Sequence, residues 1–229
     1  KETGRRNLTM IDIGWFDGRT FAKEFGRELD FGTDNYAFQA FVDGGTPVGI
    51  GWLGNWADAG PTIDFPSAMS LPRTLVLDGG ELLTPPIDAA ESLRARMIDR
   101  TRLAAGHMVQ LPHGAAEVVL ELEQAGAEFR LEFHHPDVRL ALAQHGEGLE
   151  ILHGFLDRPA EPPGPRYIAR AAGVKRLRIF LDYGSLEVFA DGGRLAGTKR
   201  IAGFAPVRAL RLIAEPGIAV KATVWSLRL

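Results

Sequence analysis

Short stretches of alternating apolar and polar residues, cut by glycine and proline, run through most of the chain. In LRIFLDYGSLEVFADGG, Leu177, Ile179 and Leu181 share one face. After a turn over Asp182 to Gly184, Leu186, Val188 and Ala190 resume the period before Asp191-Gly192-Gly193 turns the chain again. A period of two bounded by turn residues predicts a β-hairpin. The same rhythm recurs in AEVVLELEQAG and EFRLEFHHPD, in VRLALAQHGEG and LEILHGF, and in RALRLIAEPG and IAVKATVWSLRL. From about residue 85 onward this spacing predicts a two-sheet antiparallel sandwich.

One interval reads as helical. In LLTPPIDAAESLRARMIDRTRLAAG, Asp88 is placed to cap, and Leu93, Met97 and Leu103 fall near one helical face. We take it as a partly helical linker, which divides the chain into residues 1–80 and a linker plus sandwich over 81–229. The later DRPAEPPGPR is a surface loop, because its prolines cannot donate ladder hydrogen bonds.

The first eighty residues are more irregular and hold Trp15, Trp52 and Trp56, three of the four tryptophans. DFGTDNYAFQAF predicts a turn and then a strand, with Tyr36, Phe38 and Ala40 on one face and Ala37, Gln39 and Phe41 on the other. PVGIGWLGNW predicts a second strand ending in aromatics. Two strand ends that bring Asp34, Tyr36, Trp52 and Trp56 together suit a sugar, whose ring faces stack on indole while its hydroxyls need carboxylate and amide partners. The plainer alternative is that these aromatics close a β core.

Composition narrows the field. The 229 residues are 45% hydrophobic with a formal net charge of -3, so no basic footprint for nucleic acid or an anionic membrane is present. No apolar run approaches bilayer length. With no cysteine there is no disulfide, thiolate zinc site or thiol nucleophile, and the compartment stays open. A start at Lys1 rather than Met fits a processed, trimmed or partial chain.

Taken in order, FDGRTF, LDFGTDNYAFQAF, GIGWLGNW and PSAMSLPRTLVL closely resemble the last propeller blades of glycoside hydrolase family 32, the invertases, levanases, inulinases and sucrose-6-phosphate hydrolases. LRIFLDYGSLEVFADGGRLAGTKRI resembles the S-x-E-V-F segment of that family's C-terminal sandwich. The resemblance spans nearly the whole chain, and several ordered motifs make it specific. It implies an all-β fold: the closing part of a five-bladed β-propeller up to about residue 80, then an antiparallel β-sandwich. One departure stands out, since Asn35 replaces the aromatic that commonly precedes the motif tyrosine.

The resemblance also implies chemistry. Family members cleave fructosyl bonds with retention, using a carboxylate nucleophile and a carboxyl acid/base roughly 5 Å apart, and no cofactor. The motifs that carry those groups, N-D-P-N-G, R-D-P and E-C-P, do not occur in these 229 residues. Alone, the chain is therefore expected to be inactive, and its implied partners are a fructoside such as sucrose, levan or inulin and a propeller segment or second chain bearing the carboxylates. By resemblance, Asp34, Tyr36 and Trp52 line the fructose pocket, with Asn55 and Trp56 further out. A cap on the turn before the strand is the competing role for Asp34.

Other conspicuous residues have structural readings. His134 and His135 are adjacent strand residues that point to opposite faces, which argues against a shared metal. Glu187 reads as a paired or solvent-facing acid of the sandwich. DGGRLAGT lacks the Lys-Ser/Thr of a phosphate loop and reads as a hairpin turn. The competing function is a carbohydrate-binding or assembly sandwich without catalysis. Open propeller edges predict association with a partner or with a second copy.

Overall fold

The computed structural model describes residues 9–54, 68–146, 148–156, 168–170, 173–201 and 205–228. Its regular structure is almost wholly strand. The N-terminal part holds a hairpin of β1 (Met10–Phe16) and β2 (Phe21–Glu28), then a small sheet of β3 (Asn35–Asp43), β4 (Thr46–Leu53), β5 (Ala68–Met69) and β6 (Arg73–Thr74). A hairpin of β7 (Val76–Asp78) and β8 (Glu81–Leu83) follows. The β1–β2 turn is locally determined, because the Asp17 carboxylate accepts the Arg19 and Thr20 N–H groups at 2.7 Å each.

Among the described residues, twelve more strands form two six-stranded sheets. In chain order they are β9 (Arg94–Ala104), β10 (Met108–Gln110), β11 (Ala116–Leu122), β12 (Phe129–His134), β13 (Val138–His145) and β14 (Gly148–Phe155). Then come β15 (Ile168–Arg170), β16 (Arg176–Asp182), β17 (Ser185–Ala190), β18 (Leu195–Arg200), β19 (Ala209–Ala214) and β20 (Ala219–Leu227). One sheet runs β10-β19-β12-β13-β14-β15 and the other β18-β17-β16-β11-β20-β9. Leu177, Ile179, Leu181, Leu186 and Val188 are fully buried between them, as the alternation predicts. Both sheets are antiparallel throughout.

Two expectations need correction. The interval read as helical forms only a short 3-10 turn, Asp88–Leu93, whose N-cap is Ile87 without a side-chain cap, so Asp88 does not cap it. Met97 and Leu103 lie on β9, which pairs with β20 along its length. Pairing overrides the helix propensity of Arg, Met, Leu and Ala here. The second correction is a bulge between Tyr36 and Gln39, where Ala37 takes φ +50°. Tyr36 pairs with Trp52 and Gln39 with Ile50, so Tyr36, Gln39 and Phe41 share a face, and Phe38 turns to the other, against Gly49. The β7–β8 hairpin spans residue 80.

Candidate functional site

Tyr36 and Trp52 are cross-strand partners on β3 and β4, both half-buried, their rings edge to face with centroids 6.3 Å apart at 67°. Gly54 lies under the indole, where a Cβ would come within 3.0 Å of the ring. The pair forms an aromatic wall with part of its surface open, the arrangement in which a sugar face can stack. Asn55 and Trp56 lie outside the described residues.

Asp34 sits elsewhere. Its side chain is 1% exposed, its Oδ2 accepts the Arg200 N–H at 2.7 Å, and the Lys199 ammonium lies 2.9 Å away. It works in the seam between the N-terminal part and the sandwich. The turn is held instead by Asp30, whose Oδ1 accepts the Gly32 N–H at 2.8 Å.

That seam is built on β18, an edge strand. Edge strands leave alternate N–H and C=O groups unpaired. Here residues 30–34 cover them: Phe31 N–H donates to the Ala196 carbonyl (2.8 Å) and Asp34 N–H to that of Thr198 (3.2 Å). In return Thr198 N–H donates to Asp30 Oδ1 (2.8 Å), and Arg200 N–H donates to Asp34 Oδ2. Two carboxylates stand where backbone carbonyls of a further strand would be. The approach is close enough that a Cβ on Gly32 would lie 2.0 Å from the Thr198 carbonyl oxygen. Gly197 likewise leaves room for the Phe31 ring, which joins the sandwich core.

Behind this lies a buried charge network. Arg73 Nη2 donates to Thr198 Oγ1 at 2.5 Å and lies 2.8 Å from Asp30 Oδ2 and 3.3 Å from Glu187 Oε2. Thr198 donates its hydroxyl to Asp30 Oδ2 at 2.7 Å, and Leu71 N–H donates to Glu187 Oε1 at 2.7 Å. Burial pushes the Glu187 carboxyl above its usual range, against the Arg73 charge and the Leu71 hydrogen bond, which pull it down. The Arg73 guanidinium also stacks 5.1 Å from the Phe189 centroid. Glu187 is thus paired, as its sequence reading allowed. Sequence reading does not single out Asp30, Arg73, Thr198 and Lys199; the signal for them is charged and hydroxylic residues spread over three motifs far apart in the chain.

The remaining candidates are structural. Buried His135 makes ring contacts with the Ala205 carbonyl (2.6 Å) and accepts the Asp137 N–H at 3.1 Å, while His134 is exposed. Asp191, at φ +44°, accepts the Lys175 and Arg176 N–H groups, tying the DGG turn to the start of β16.

Two family models fit the chain: the N-terminal domain of glycosyl hydrolases family 32 over residues 2–86 and the C-terminal region of the same family over residues 152–226. The chain belongs to glycoside hydrolase family 32. The sucrose-6-phosphate hydrolase of Escherichia coli is 31% identical over 93% of this chain and 46% of its own length. The Bombyx mori GH32 beta-fructofuranosidase superposes with a TM-score of 0.80 at 21% identity, over 100% of this chain and 49% of that one. A mutant of that silkworm enzyme, solved in complex with sucrose, superposes at 0.81 with 21% identity over the same shares. The chain spans about half the length of these relatives. Its fold is that of the family 32 enzymes, closing propeller blades followed by the β-sandwich.

Proposed function

We propose that the chain is the closing part of a retaining β-fructosidase, acting on sucrose or on fructans such as levan and inulin. The observation that carries this reading is the half-open Tyr36–Trp52 pair, set within the region matched by the family 32 N-terminal domain. In this reading the Trp52 indole stacks on a sugar ring and the Tyr36 hydroxyl binds a sugar hydroxyl, with Asn55 and Trp56 as outer contacts. Asp34 serves the pocket indirectly, by fixing the start of β3. The nucleophile and the acid/base come from a segment other than these 229 residues, either further propeller blades of one longer protein or a second chain. The two-carboxylate mechanism calls for no cofactor.

We place the propeller part in residues 1–80 and the linker with its sandwich in 81–229; the support is that both six-stranded sheets use only strands that begin at Arg94 or later. The test is an intact-mass and denaturing-gel analysis of the native preparation, with sucrose and levan hydrolysis assayed on the same fractions. A co-migrating second polypeptide, or a longer chain, together with released fructose is the expected result. This chain alone with no fructose released leaves the binding or assembly sandwich as the better account.

A further inference from the structure

Resting on that reading, we infer that Glu187 and Lys199, two sandwich residues, are positioning residues for the Tyr36–Trp52 wall. Each holds one of the two strands that carry the rings.

The Trp52 side is reached through Glu187. Its Oε1 takes the Leu71 N–H, and the preceding Ser70 is locked to Gly51 twice: Ser70 N–H donates to the Gly51 carbonyl (2.9 Å), and Gly51 N–H donates to Ser70 Oγ (3.0 Å). Gly51 precedes Trp52, and Met69 pairs with Trp52 directly. The Tyr36 side is reached through Lys199. Its ammonium holds the Asp34 carboxylate and donates to Thr33 Oγ1 at 3.0 Å. The Asp34 carbonyl accepts the Gly54 N–H at 3.1 Å, just beyond the Asn35–Leu53 and Tyr36–Trp52 pairs. The end of the ladder that carries the two rings is therefore held by the sandwich through both of its strands. A wall on a small sheet with a bulge beside Tyr36 has little stiffness of its own, so the clamps set its geometry.

Hydrogen–deuterium exchange on the 229-residue chain tests this without assuming any activity. Glu187→Ala is expected to speed exchange at least tenfold across 46–53 and 68–74. Lys199→Met, which keeps the aliphatic stem, is expected to speed it about fivefold across 34–36 and 52–54. In both variants the core strands β12 and β13 keep wild-type rates. Unchanged rates at the wall in Lys199→Met, or an equal rise in β12 and β13, overturn the proposal; Lys199→Met decides the matter even if Glu187→Ala fails to fold. In the complete, sucrose-cleaving protein, both variants are expected to lower kcat/KM about tenfold, mainly through KM. Glu187→Gln, which keeps an acceptor for Leu71 N–H, is expected to restore most of that loss, and a wild-type KM in both variants also overturns the proposal. Localised exchange changes in a protein that cleaves no fructoside would retire the fructosidase reading and leave the positioning of the pair standing.

Discussion

Asp34 and Lys199 form an ion pair 2.9 Å long across the seam, with their side chains only 1% and 7% exposed. Removing one member of such a pair strands the other charge out of water. Asp34→Ala leaves the Lys199 ammonium with Thr33 and takes the acceptor from Arg200 N–H. We expect a loss of about 3 kcal/mol in urea unfolding. Asp34→Asn, which keeps an acceptor but no charge, should lose less. A wild-type midpoint for Asp34→Ala would show that the carboxylate is not committed to the seam and is open to a ligand.

Steric fit in the seam makes a sharper prediction. Gly32 and Gly197 meet neighbours that a Cβ would overlap, the Thr198 backbone in one case and the Phe31 ring in the other. Gly32→Ala faces rigid backbone and should cost about 3 kcal/mol, at the upper end for overpacking. Gly197→Ala faces a ring that can shift, and should cost less. Gly184→Ala, with open space around its position, is the control and should melt within 1–2 °C of the parent. Differential scanning calorimetry checks the ranking.

These two cases show what was legible in the sequence and what was not. The sandwich could be read because Leu177 to Ala190 bury one face at a strict period of two, a local signal. The seam could not, because Asp30, Asp34, Arg73, Glu187 and Lys199 look like surface charges until residues far apart in sequence meet. Only the order of the motifs hinted that they belong together. The bulge at Ala37 left no mark in the alternation and reversed the expected face of Phe38. The strand β9 carries no strand signal of its own, because its arginines and Met97 suit a helix as well as an exposed edge. For the wall itself the sequence was a good guide, since Tyr36 and Trp52 do meet. The strand-end pattern and the family resemblance group Asp34 with them, whereas its carboxylate is occupied on the sandwich side.

His153 supplies a pH dependence. Burial, reinforced by the Lys199 charge, lowers its pKa from 6.5 to about 4; Asp34 opposes this and His135 adds to it. The unfolded chain therefore binds the proton more readily between those values, and stability rises with pH through that window. The contribution is fully present above about pH 6.5 and is lost as pH falls toward 4, with a span on the order of 3 kcal/mol. Glu187 works in the opposite sense. Its raised pKa means that ionisation in the folded state costs stability as pH climbs above the ordinary carboxyl range. Urea midpoints between pH 4 and 7 should fall toward acid in the parent and flatten in His153→Gln. Parallel curves would locate the acid sensitivity in another group.

The N-terminal part exposes large apolar side chains to a degree the sandwich does not. Trp15 is 71% exposed, Phe16 61% and Met10 57% on the β1–β2 hairpin, and Phe41, Val42 and Leu77 are each more than half exposed. So many large exposed apolar side chains on one part of the chain suit an interface. The hairpin also has two unpaired strand edges, because β1 and β2 bond only to each other among the described residues. Both features suit blades that continue the propeller over this surface. The 229-residue chain by itself is therefore expected to elute from gel filtration as a dimer or larger species. The double variant Trp15→Ser, Phe16→Ser should shift it toward monomer without changing the melting of the sandwich, because neither residue lies in the seam or the core. Adding the carboxylate-bearing propeller segment should compete with self-association in the parent chain, since both would use the same hairpin. If the parent elutes as a clean monomer at micromolar concentration, the apolar hairpin is stable in water, and the need for further blades to cover it disappears.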